Sequence, residues 1–256
     1  MYMGIDIGSV STEAVIVNNK KEIIEYIILP SGYNHRQTAE EIIKAVCDKA
    51  AINKCDLKRI FGTGYGRRNI PGTYKTVTEI TCHTIGVRHL YHDTNIIIDI
   101  GGQDSKVIWL AENGFVENFI MNDKCSAGTG RFLEVMAGIM KMDMQEFSSW
   151  GLKAERIYPI SSTCTVFAES EVISGISAGI PSEEIIAGIY QSITERILTL
   201  AGILKESSNE IILTGGVAKN LGVVEFIKKR VPGIKIPFEP QITGALGAAL
   251  LAGYDE

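Results

Sequence analysis

The sequence predicts an α/β protein that contains two copies of one strand-rich domain. Hydrophobic segments of strand length alternate with segments whose apolar residues recur at helical spacing. A strand that ends in Asp-Ile-Gly occurs twice, at residues 6–8 and 99–101. A turn and a second hydrophobic strand follow each copy, so that Thr12 falls opposite Ser105. This shared context favours duplication of a whole domain over a chance match.

In the first half of the chain, the pattern predicts four strands and two helices. They are strands at 2–8, 13–18, 22–29 and 59–63, and helices at 38–51 and 79–92. Asn-Asn-Lys-Lys at 18–21 has the composition of a hairpin turn between the second and third strands. Helix 38–51 is indicated by Ile42, Ile43 and Val46, which recur at helical spacing.

The second half repeats the strands and adds more helices. We predict strands at 95–100, 105–110, 114–121 and 210–214, and helices at 130–140, 143–150, 165–178, 182–205, about 219–230 and 243–252. The expected domains are therefore 1–94 and 95–256. The small-residue helix 243–252 is expected to pack back on the first domain.

Composition excludes several classes of function. The chain has 256 residues, of which 45% are hydrophobic and 21% charged, and its net charge is −5. Nucleic acids and anionic membranes are poor candidate partners because both attract basic surfaces. No apolar run reaches the ~20 residues of a membrane span, and Asp6 interrupts any signal peptide. Five cysteines, an odd number without close pairs, favour a reducing cytoplasm.

The two Asp-Ile-Gly turns have the composition of phosphate-binding loops. Glycine allows close approach of a ligand, and successive backbone N–H groups bind anions. Asp6 and Asp99 are expected to hold Mg²⁺ through water, because that ion usually retains several waters. In the first turn the candidate contacts are Gly8, Ser9, Val10, Ser11, Thr12 and Glu13; in the second they are Gly101, Gly102 and Gln103. A third loop, which contains Gly215-Gly216, strengthens this interpretation over two ordinary β-turns.

The commoner nucleotide motifs are absent: there is neither a G-x-x-x-x-G-K-[ST] P-loop nor a G-x-G-x-x-G turn that opens a helix after a strand. GIDIGSVST, IDIGGQDSK and LTGGVAKN instead resemble the phosphate-1, phosphate-2 and adenosine motifs of the actin, Hsp70 and sugar-kinase ATPase superfamily. The resemblance implies two duplicated ribonuclease-H-like domains with ATP in the cleft. It would place Gly215 and Gly216 beside the adenosine, with Asn220 and Gln241 as further candidates.

Two cysteines are the strongest candidates for metal or redox chemistry. Cys125 and Cys164 each precede a predicted helix, and residues 161–165 offer capping oxygens to the second. A helix N-terminus stabilises a thiolate or an anionic iron–sulfur cluster, whereas the alternative is two small buried residues.

Four cysteine ligands are usual for a [4Fe–4S] cluster, and the chain has no C-x-x-C. Cys47 and Cys82 fall in predicted helices and Cys55 in a connection, so they do not complete the set. A two-fold homodimer would supply four cysteines at its symmetry axis.

DIGGQD, MNDKCSAGTGRF, ISSTCTVFAESEVIS, TGGVAKN and GALGAAL together resemble the ATP-dependent activators of (R)-2-hydroxyacyl-CoA dehydratases. That family includes the activator of 2-hydroxyglutaryl-CoA dehydratase, and the ATPase subunits of benzoyl-CoA reductase are similar. The resemblance covers residues 3–252. It implies a homodimer that holds one [4Fe–4S] cluster through Cys125 and Cys164 of both chains. It further implies anaerobic chemistry, in which an electron from a donor such as ferredoxin or flavodoxin is driven by ATP hydrolysis into an iron–sulfur dehydratase or reductase.

Glu13 departs from this family, whose members often carry Lys there, so one phosphate contact is removed. Gln103 is expected to position the attacking water or sense the γ-phosphate. Two other interpretations remain: a small-molecule kinase with Asp104 as the base, and a nucleotide-responsive redox sensor. For His89 and His92, i and i+3 on a predicted helix, a solvated surface is favoured over a metal site. Glu171 lies on the predicted helix after Cys164, and the sequence alone does not assign it a role.

Overall fold

The structure is a computed structural model that describes residues 1–161, 164–202 and 210–254. The chain divides into two compact units. The first, unit 1, comprises Met1–Ile97, Ile108–Phe119 and Pro237–Glu256. The second, unit 2, comprises Ile98–Val107 and Ile120–Ile236.

A five-stranded mixed sheet forms the centre of unit 1. Its strands are β1 (Tyr2–Ile7), β2 (Ser11–Val17), β3 (Ile23–Pro30), β4 (Arg59–Thr63) and β5 (Lys75–Thr76), in the order β3-β2-β1-β4-β5. Strand β1 pairs antiparallel with β2 and parallel with β4. The predicted hairpin between β2 and β3 is confirmed: Asn18 Oδ1 accepts from the backbone N–H groups of Lys20 and Glu22 at 2.8 and 3.0 Å.

Helices cover both faces of this sheet: α1 (His35–Lys49), α2 (Glu79–Leu90) and α8 (Thr243–Tyr254). Because side chains alternate along a strand, Met3, Ile5 and Ile7 pack with the apolar residues of α1. The other face of β1 packs with α8, and an added Cβ at Gly4 would overlap the backbone of that helix. Asp6 belongs to this second face, and this places its carboxylate on the α2 and α8 side of the sheet.

The second sheet contains β6 (Ile96–Ile100), β7 (Ser105–Leu110), β8 (Val116–Asn122) and β9 (Ile211–Thr214), in the order β8-β7-β6-β9. This order matches β3-β2-β1-β4 of the first sheet, with β6 in the place of β1. The repeat that the sequence predicts is therefore present in the topology, and the fold is the duplicated ribonuclease-H-like fold of the actin-like ATPases.

The remaining helices are α3 (Gly130–Ile139), α4 (Met144–Trp150), α5 (Thr165–Ser177), α6 (Ser182–Leu200) and α7 (Leu221–Arg230). The long helices and strands predicted from the sequence are present within about three residues of the expected bounds, except at the C-terminus of α6. The described residues contain no helix that is both long and apolar enough to cross a bilayer.

Three predicted details were wrong. Helix α7 begins at Leu221 because Gly216–Lys219 forms a tighter 3₁₀ turn. Helix α6 ends at Leu200, whereas the sequence predicted that it continues to residue 205. The last three residues of that predicted extension, 203–205, lie outside the described part of the chain. Helix α2 ends at Leu90, so His92 does not share a helical face with His89.

Candidate functional site

The first Asp-Ile-Gly turn joins β1 to β2. The Gly8 N–H donates to the Ser11 carbonyl at 3.0 Å, which closes the turn. Ser31 supports it from the end of β3: its hydroxyl donates to the Gly8 carbonyl at 2.7 Å and lies 2.9 Å from the buried Thr12 hydroxyl. Ser9 and Val10 are exposed at the tip. The predicted hydroxyls and N–H groups are thus present on a supported turn.

Asp6 is buried among acidic and aromatic polar groups. Glu13 lies directly opposite it on β2, so that the two side chains share one face of the hairpin. Glu13 accepts a 2.5 Å hydrogen bond from Ser11 Oγ. On the other side, His83 Nε2 lies 4.0 Å from Asp6 Oδ2, while His83 Nδ1 lies 3.1 Å from Thr243 Oγ1. The first turn therefore combines two buried carboxylates with one imidazole.

Two glycines make room for the Asp6 carboxylate. An added Cβ at Gly64 or at Gly244 would overlap it, and Gly64 also has φ of +89°, which disfavours other residues. Cys82 lies nearby on α2. Burial raises the pKa of the Cys82 thiol to about 12, and the Asp6 charge raises it further, whereas the Thr63 hydroxyl lowers it. Cys82 is therefore a neutral packing group at ordinary pH.

Gln241 also belongs to the first turn. Its Nε2 donates to Ser11 Oγ at 3.2 Å, and its backbone N–H donates to the Glu239 carboxylate. This hydrogen bond connects Gln241 to the first turn, and its expected part beside the adenosine, with Gly215 and Gly216, stays a prediction.

Asp99 ends β6 and is held by two side chains of unit 2. Thr214 Oγ1, at the end of β9, donates to Asp99 Oδ1 at 2.8 Å. Lys106 Nζ, on β7, lies 3.5 Å from Asp99 Oδ2 and 2.8 Å from Asp104 Oδ2. The Lys106 and Asp99 side chains are almost fully buried, so this lysine balances charge where water is excluded.

The second turn has the same closing hydrogen bond as the first. The Gly101 N–H donates to the Asp104 carbonyl at 2.9 Å. Gln103 is exposed at the tip, and Gly101 and Gly102 are half-buried below it. This places Gln103 where a ligand at the turn can reach it.

Helix α3 begins directly against the second turn. The backbone N–H groups of Gly130 and Arg131 donate to the carbonyls of Gly101 and Gly102 at 2.9 and 2.8 Å. Initial N–H groups of a helix have no partner within the helix, so the turn supplies acceptors that α3 needs. A displacement of the turn would therefore be passed to α3 and to the loop before it, which carries Cys125.

The third glycine-containing loop, at Gly215 and Gly216, follows β9. Gly215 has φ of +86°, and an added Cβ there would overlap the Ile100 carbonyl at the end of β6. Gly216 opens the 3₁₀ turn. Asn220 is buried and caps α7, because its Oδ1 accepts from the Val223 N–H at 3.0 Å. Its part in nucleotide binding stays a prediction.

The two candidate cysteine ligands lie in neighbouring segments of unit 2. Cys164 is the N-cap residue of α5, whereas Cys125 precedes the Thr129 N-cap of α3 by four residues. Ser126 Oγ lies 3.0 Å from Thr165 Oγ1, so the residues that follow the two cysteines are hydrogen-bonded. Cys125 is exposed and Cys164 is half-buried. The dipole of α5 thus acts directly on Cys164.

Polar side chains hold both cysteine segments. Asn122 Nδ2 donates to the Cys125 carbonyl at 2.9 Å, and Asn122 Oδ1 accepts from the Cys125 N–H at 3.3 Å. Glu171 accepts from the Ser161 N–H and hydroxyl at 2.9 and 2.7 Å. Glu171 therefore ties the segment before Cys164 to α5. Of the predicted capping oxygens, those of residues 162 and 163 lie outside the described part.

The other cysteines differ in position. Cys47 and Cys82 are buried, and Cys55 is exposed in a short 3₁₀ turn, Lys54–Asp56. Within the described ranges of one chain, no group of three or more His, Cys, Asp and Glu side chains could hold a metal ion. Two thiols in joined segments fit a four-sulfur cluster as half of a shared ligand set.

Comparison with known proteins identifies the family. The model of the BadF/BadG/BcrA/BcrD ATPase family matches residues 3–252. The chain belongs to this ATPase family. It is accordingly an ATPase, and the turns at Asp6 and Asp99 are its candidate phosphate contacts.

Two relatives of this ATPase are named as activators of acyl-CoA dehydratases. The 2-hydroxyisocaproyl-CoA dehydratase activator of Clostridioides difficile is 43% identical over 100% of this chain and 96% of its own length. The (R)-2-hydroxyglutaryl-CoA dehydratase activating ATPase of Acidaminococcus fermentans is 43% identical over 98% of this chain and 96% of its own. A solved structure of the Clostridium difficile activator with bound ADPNP superimposes with a TM-score of 0.92 at 42% identity, covering 100% and 95% of the two chains.

Sequence reasoning missed three neighbours of the candidate site. His83 lies against Asp6, Lys106 lies between two aspartates, and Arg196 of α6 lies beside Gly128 in the loop after Cys125. Only Lys106 had a signal in the sequence: its place in the repeat is the one that Glu13 occupies in the first copy.

Proposed function

We propose that this ATPase couples ATP hydrolysis to low-potential electron transfer into a partner 2-hydroxyacyl-CoA dehydratase or a related reductase. The activators to which it is similar over 96% of their length support the partner class. Asp6 and Asp99 would hold Mg²⁺ through water, and Gln103 would position the attacking water. The backbone of the two turns would contact the phosphates, with Gly215 and Gly216 beside the adenosine.

Cys125 and Cys164 would hold one [4Fe–4S] cluster together with the same residues of a second copy in a homodimer. When bound, the cluster supplies one-electron chemistry. The contributions of this chain are the two thiols, the α5 N-terminus behind Cys164 and the loops that fix both segments. An electron donor such as ferredoxin or flavodoxin would reload the dimer in an anaerobic cytoplasm.

The proposed coupling between the nucleotide and the cysteine segments rests on one set of hydrogen bonds. The second turn is hydrogen-bonded to the first two residues of α3, and Ser126, just before α3, is hydrogen-bonded to Thr165 beside Cys164. Nucleotide-dependent movement of residues 101–104 is thereby connected to both cysteine segments within one unit. ATP can shift this equilibrium only by binding one arrangement more tightly than the other.

The test is made on protein prepared without oxygen. We expect about four irons per dimer. Cys125→Ser and Cys164→Ser should lose the iron, whereas Cys55→Ser, which removes another exposed thiol, should retain it. Full iron content in Cys164→Ser would contradict the shared ligand set.

Coupling is tested by the rate at which a chelator removes the iron. We expect faster removal with Mg²⁺-ATP than with Mg²⁺-ADP, and a smaller difference in Gln103→Ala. Equal rates in the unmodified protein would contradict the coupling and favour the sensor. ATP consumption that depends on an added sugar would favour the kinase.

A further inference from the structure

We propose that the positive charge of Arg196 raises the reduction potential of the iron–sulfur cluster at Cys125 and Cys164. The inference rests on the proposed function, because it concerns the group that these cysteines would hold. Reduction adds one electron and hence one negative charge to the cluster. A nearby cation stabilises the reduced form more than the oxidised form, and so raises the potential.

Arg196 comes from α6, a helix that packs most of its residues in the core of unit 2. Its side chain is half-buried and lies along the loop after Cys125. An added Cβ at Gly128 would lie 3.8 Å from both Cβ and Cδ of Arg196, so the stem of the arginine is in ordinary contact with this loop. The position is therefore set by packing and not by the reach of a free surface chain.

Electrostatics connects the same residue to both candidate ligands. Burial lowers the pKa of the Arg196 guanidinium, whereas the negative charges of Cys125 and Cys164 as thiolates raise it. An arginine remains protonated at any pH at which the protein would be studied. Its charge is consequently permanent, and it acts on both segments at once.

An arginine of α3, the helix that follows Cys125, lacks this placement. Arg131, in the first turn of α3, is exposed and forms a 3.1 Å ion pair with Glu134. Solvent and salt screen such a charge, whereas a half-buried one acts through a medium of lower dielectric constant. Arg131→Gln therefore provides the control for Arg196→Gln, because it removes a solvent-screened positive charge from the same unit.

The experiment is a redox titration of the cluster, followed by electron paramagnetic resonance, in the anaerobic dimer. Arg196→Gln should shift the reduced-to-oxidised ratio at a fixed potential by on the order of tenfold, which is about 59 mV more negative for one electron. Arg196→Lys should keep most of the original potential. Arg131→Gln should shift it by less than half as much as Arg196→Gln.

Each outcome of the titration supports or overturns the proposed effect of Arg196 on the reduction potential. Equal potentials in Arg196→Gln and the unmodified protein overturn the inference, as does an Arg196→Lys shift as large as that of Arg196→Gln. If Arg196→Gln takes up no cluster, iron retained by Arg196→Lys supports the need for charge, whereas iron lost from both overturns it. An unmodified protein without iron would instead refute the proposed function, and this inference with it.

Discussion

The Asp6 turn and the Asp99 turn are two versions of one backbone arrangement. In each, the glycine N–H donates to the carbonyl three residues on: Gly8 to Ser11 at 3.0 Å, and Gly101 to Asp104 at 2.9 Å. The hydrogen bond does not depend on side chains at those positions, so the turn survives when the residues around it differ. The duplicated backbone is accordingly similar in both units.

A glycine of left-handed conformation lies beside each turn. Gly64 follows β4 with φ of +89° and packs against the Ile7 carbonyl, while Gly215 follows β9 with φ of +86° and packs against the Ile100 carbonyl. In both units the neighbouring strand therefore ends close enough to exclude a Cβ.

The charges around the aspartates differ. In unit 1, Asp6 faces Glu13; in unit 2, Asp99 faces Lys106 at the corresponding position. Thr214 donates to Asp99, whereas its counterpart in unit 1, Thr63, lies beside the Cys82 thiol. The comparison teaches that duplication retained the loop and exchanged the charge beside the aspartate, a carboxylate in unit 1 for an ammonium group in unit 2.

The largest effect should come from removing the buried cation of unit 2. Lys106→Met leaves two aspartates without it and should lower the free energy of unfolding by about 3–5 kcal/mol. Urea unfolding followed by Trp150 fluorescence in a Trp109→Phe background reports on this unit. As a control, Lys235→Met breaks a half-exposed pair with Glu210 and should cost up to about 1 kcal/mol. Equal costs would show that burial of Lys106 is immaterial.

Neutralising each aspartate should separate catalysis from stability. Asp6→Asn and Asp99→Asn should each lower the ATPase rate by about 10–100-fold, as loss of a water-mediated metal contact does. Asp99→Asn should also destabilise the protein, because Lys106 loses a partner. Asp6→Asn should not, because it removes one of two adjacent carboxylates. Unchanged ATPase rates in both variants, measured by phosphate release, would place the nucleotide elsewhere.

Glu13→Gln should make unit 1 resemble unit 2 in charge. Removing a negative charge near the phosphates should tighten Mg²⁺-ATP binding by about tenfold, since a unit charge at ~10 Å and an effective dielectric of 20 contributes between 1 and 2 kcal/mol. Glutamine can still accept the Ser11 hydrogen bond. Calorimetry with Glu41→Gln, an exposed helix residue of the same unit, provides the control. Weaker binding would show that Glu13 has a favourable role.

The smallest expected effect is on the pH dependence of stability. It concerns Cys82, the buried thiol near Asp6 in unit 1. Folding raises the pKa of Cys82 from 9.0 to about 12, so the folded state keeps its proton longer than the unfolded state. This contribution is complete below pH ~9 and is lost as pH rises toward ~12, about 1 kcal/mol of it by pH 10. Cys82→Ala should flatten the stability profile there, whereas Cys55→Ala should not. Parallel profiles for Cys82→Ala and the unmodified protein would refute this.

Most of the fold was accessible from the pattern of apolar residues. Strands and helices of several turns show a period, and even the hairpin at Asn18 follows from turn chemistry. Two of the misses have a common cause. Strand β5 has only two residues, Lys75–Thr76, and Gly216–Lys219 forms a 3₁₀ turn, so neither is long enough to show a period. Their conformations are set by neighbouring strands and helices.

Within the candidate site, local segments were predictable and their neighbours were not. Both Asp-Ile-Gly turns and the two cysteines are contiguous motifs whose chemistry can be read from a few residues. The hydrogen bond of Gln241 to Ser11 was not predictable, because it joins residues from opposite ends of the chain. Glu171, undecided in the sequence, has a defined structural role as the acceptor for Ser161.

The sequence by itself determined the duplication and the family, and it predicted the phosphate-contact turns and the cysteine ligands, because each is written in short contiguous segments. Only the tertiary structure decided which side chains surround them. Thr214 reaches Asp99 from 115 residues away, and His83 and Arg196 come from helices whose faces are set by core packing. The packing of apolar faces fixes where each helix and strand lies. The polar residues on those elements are thereby placed beside their partners.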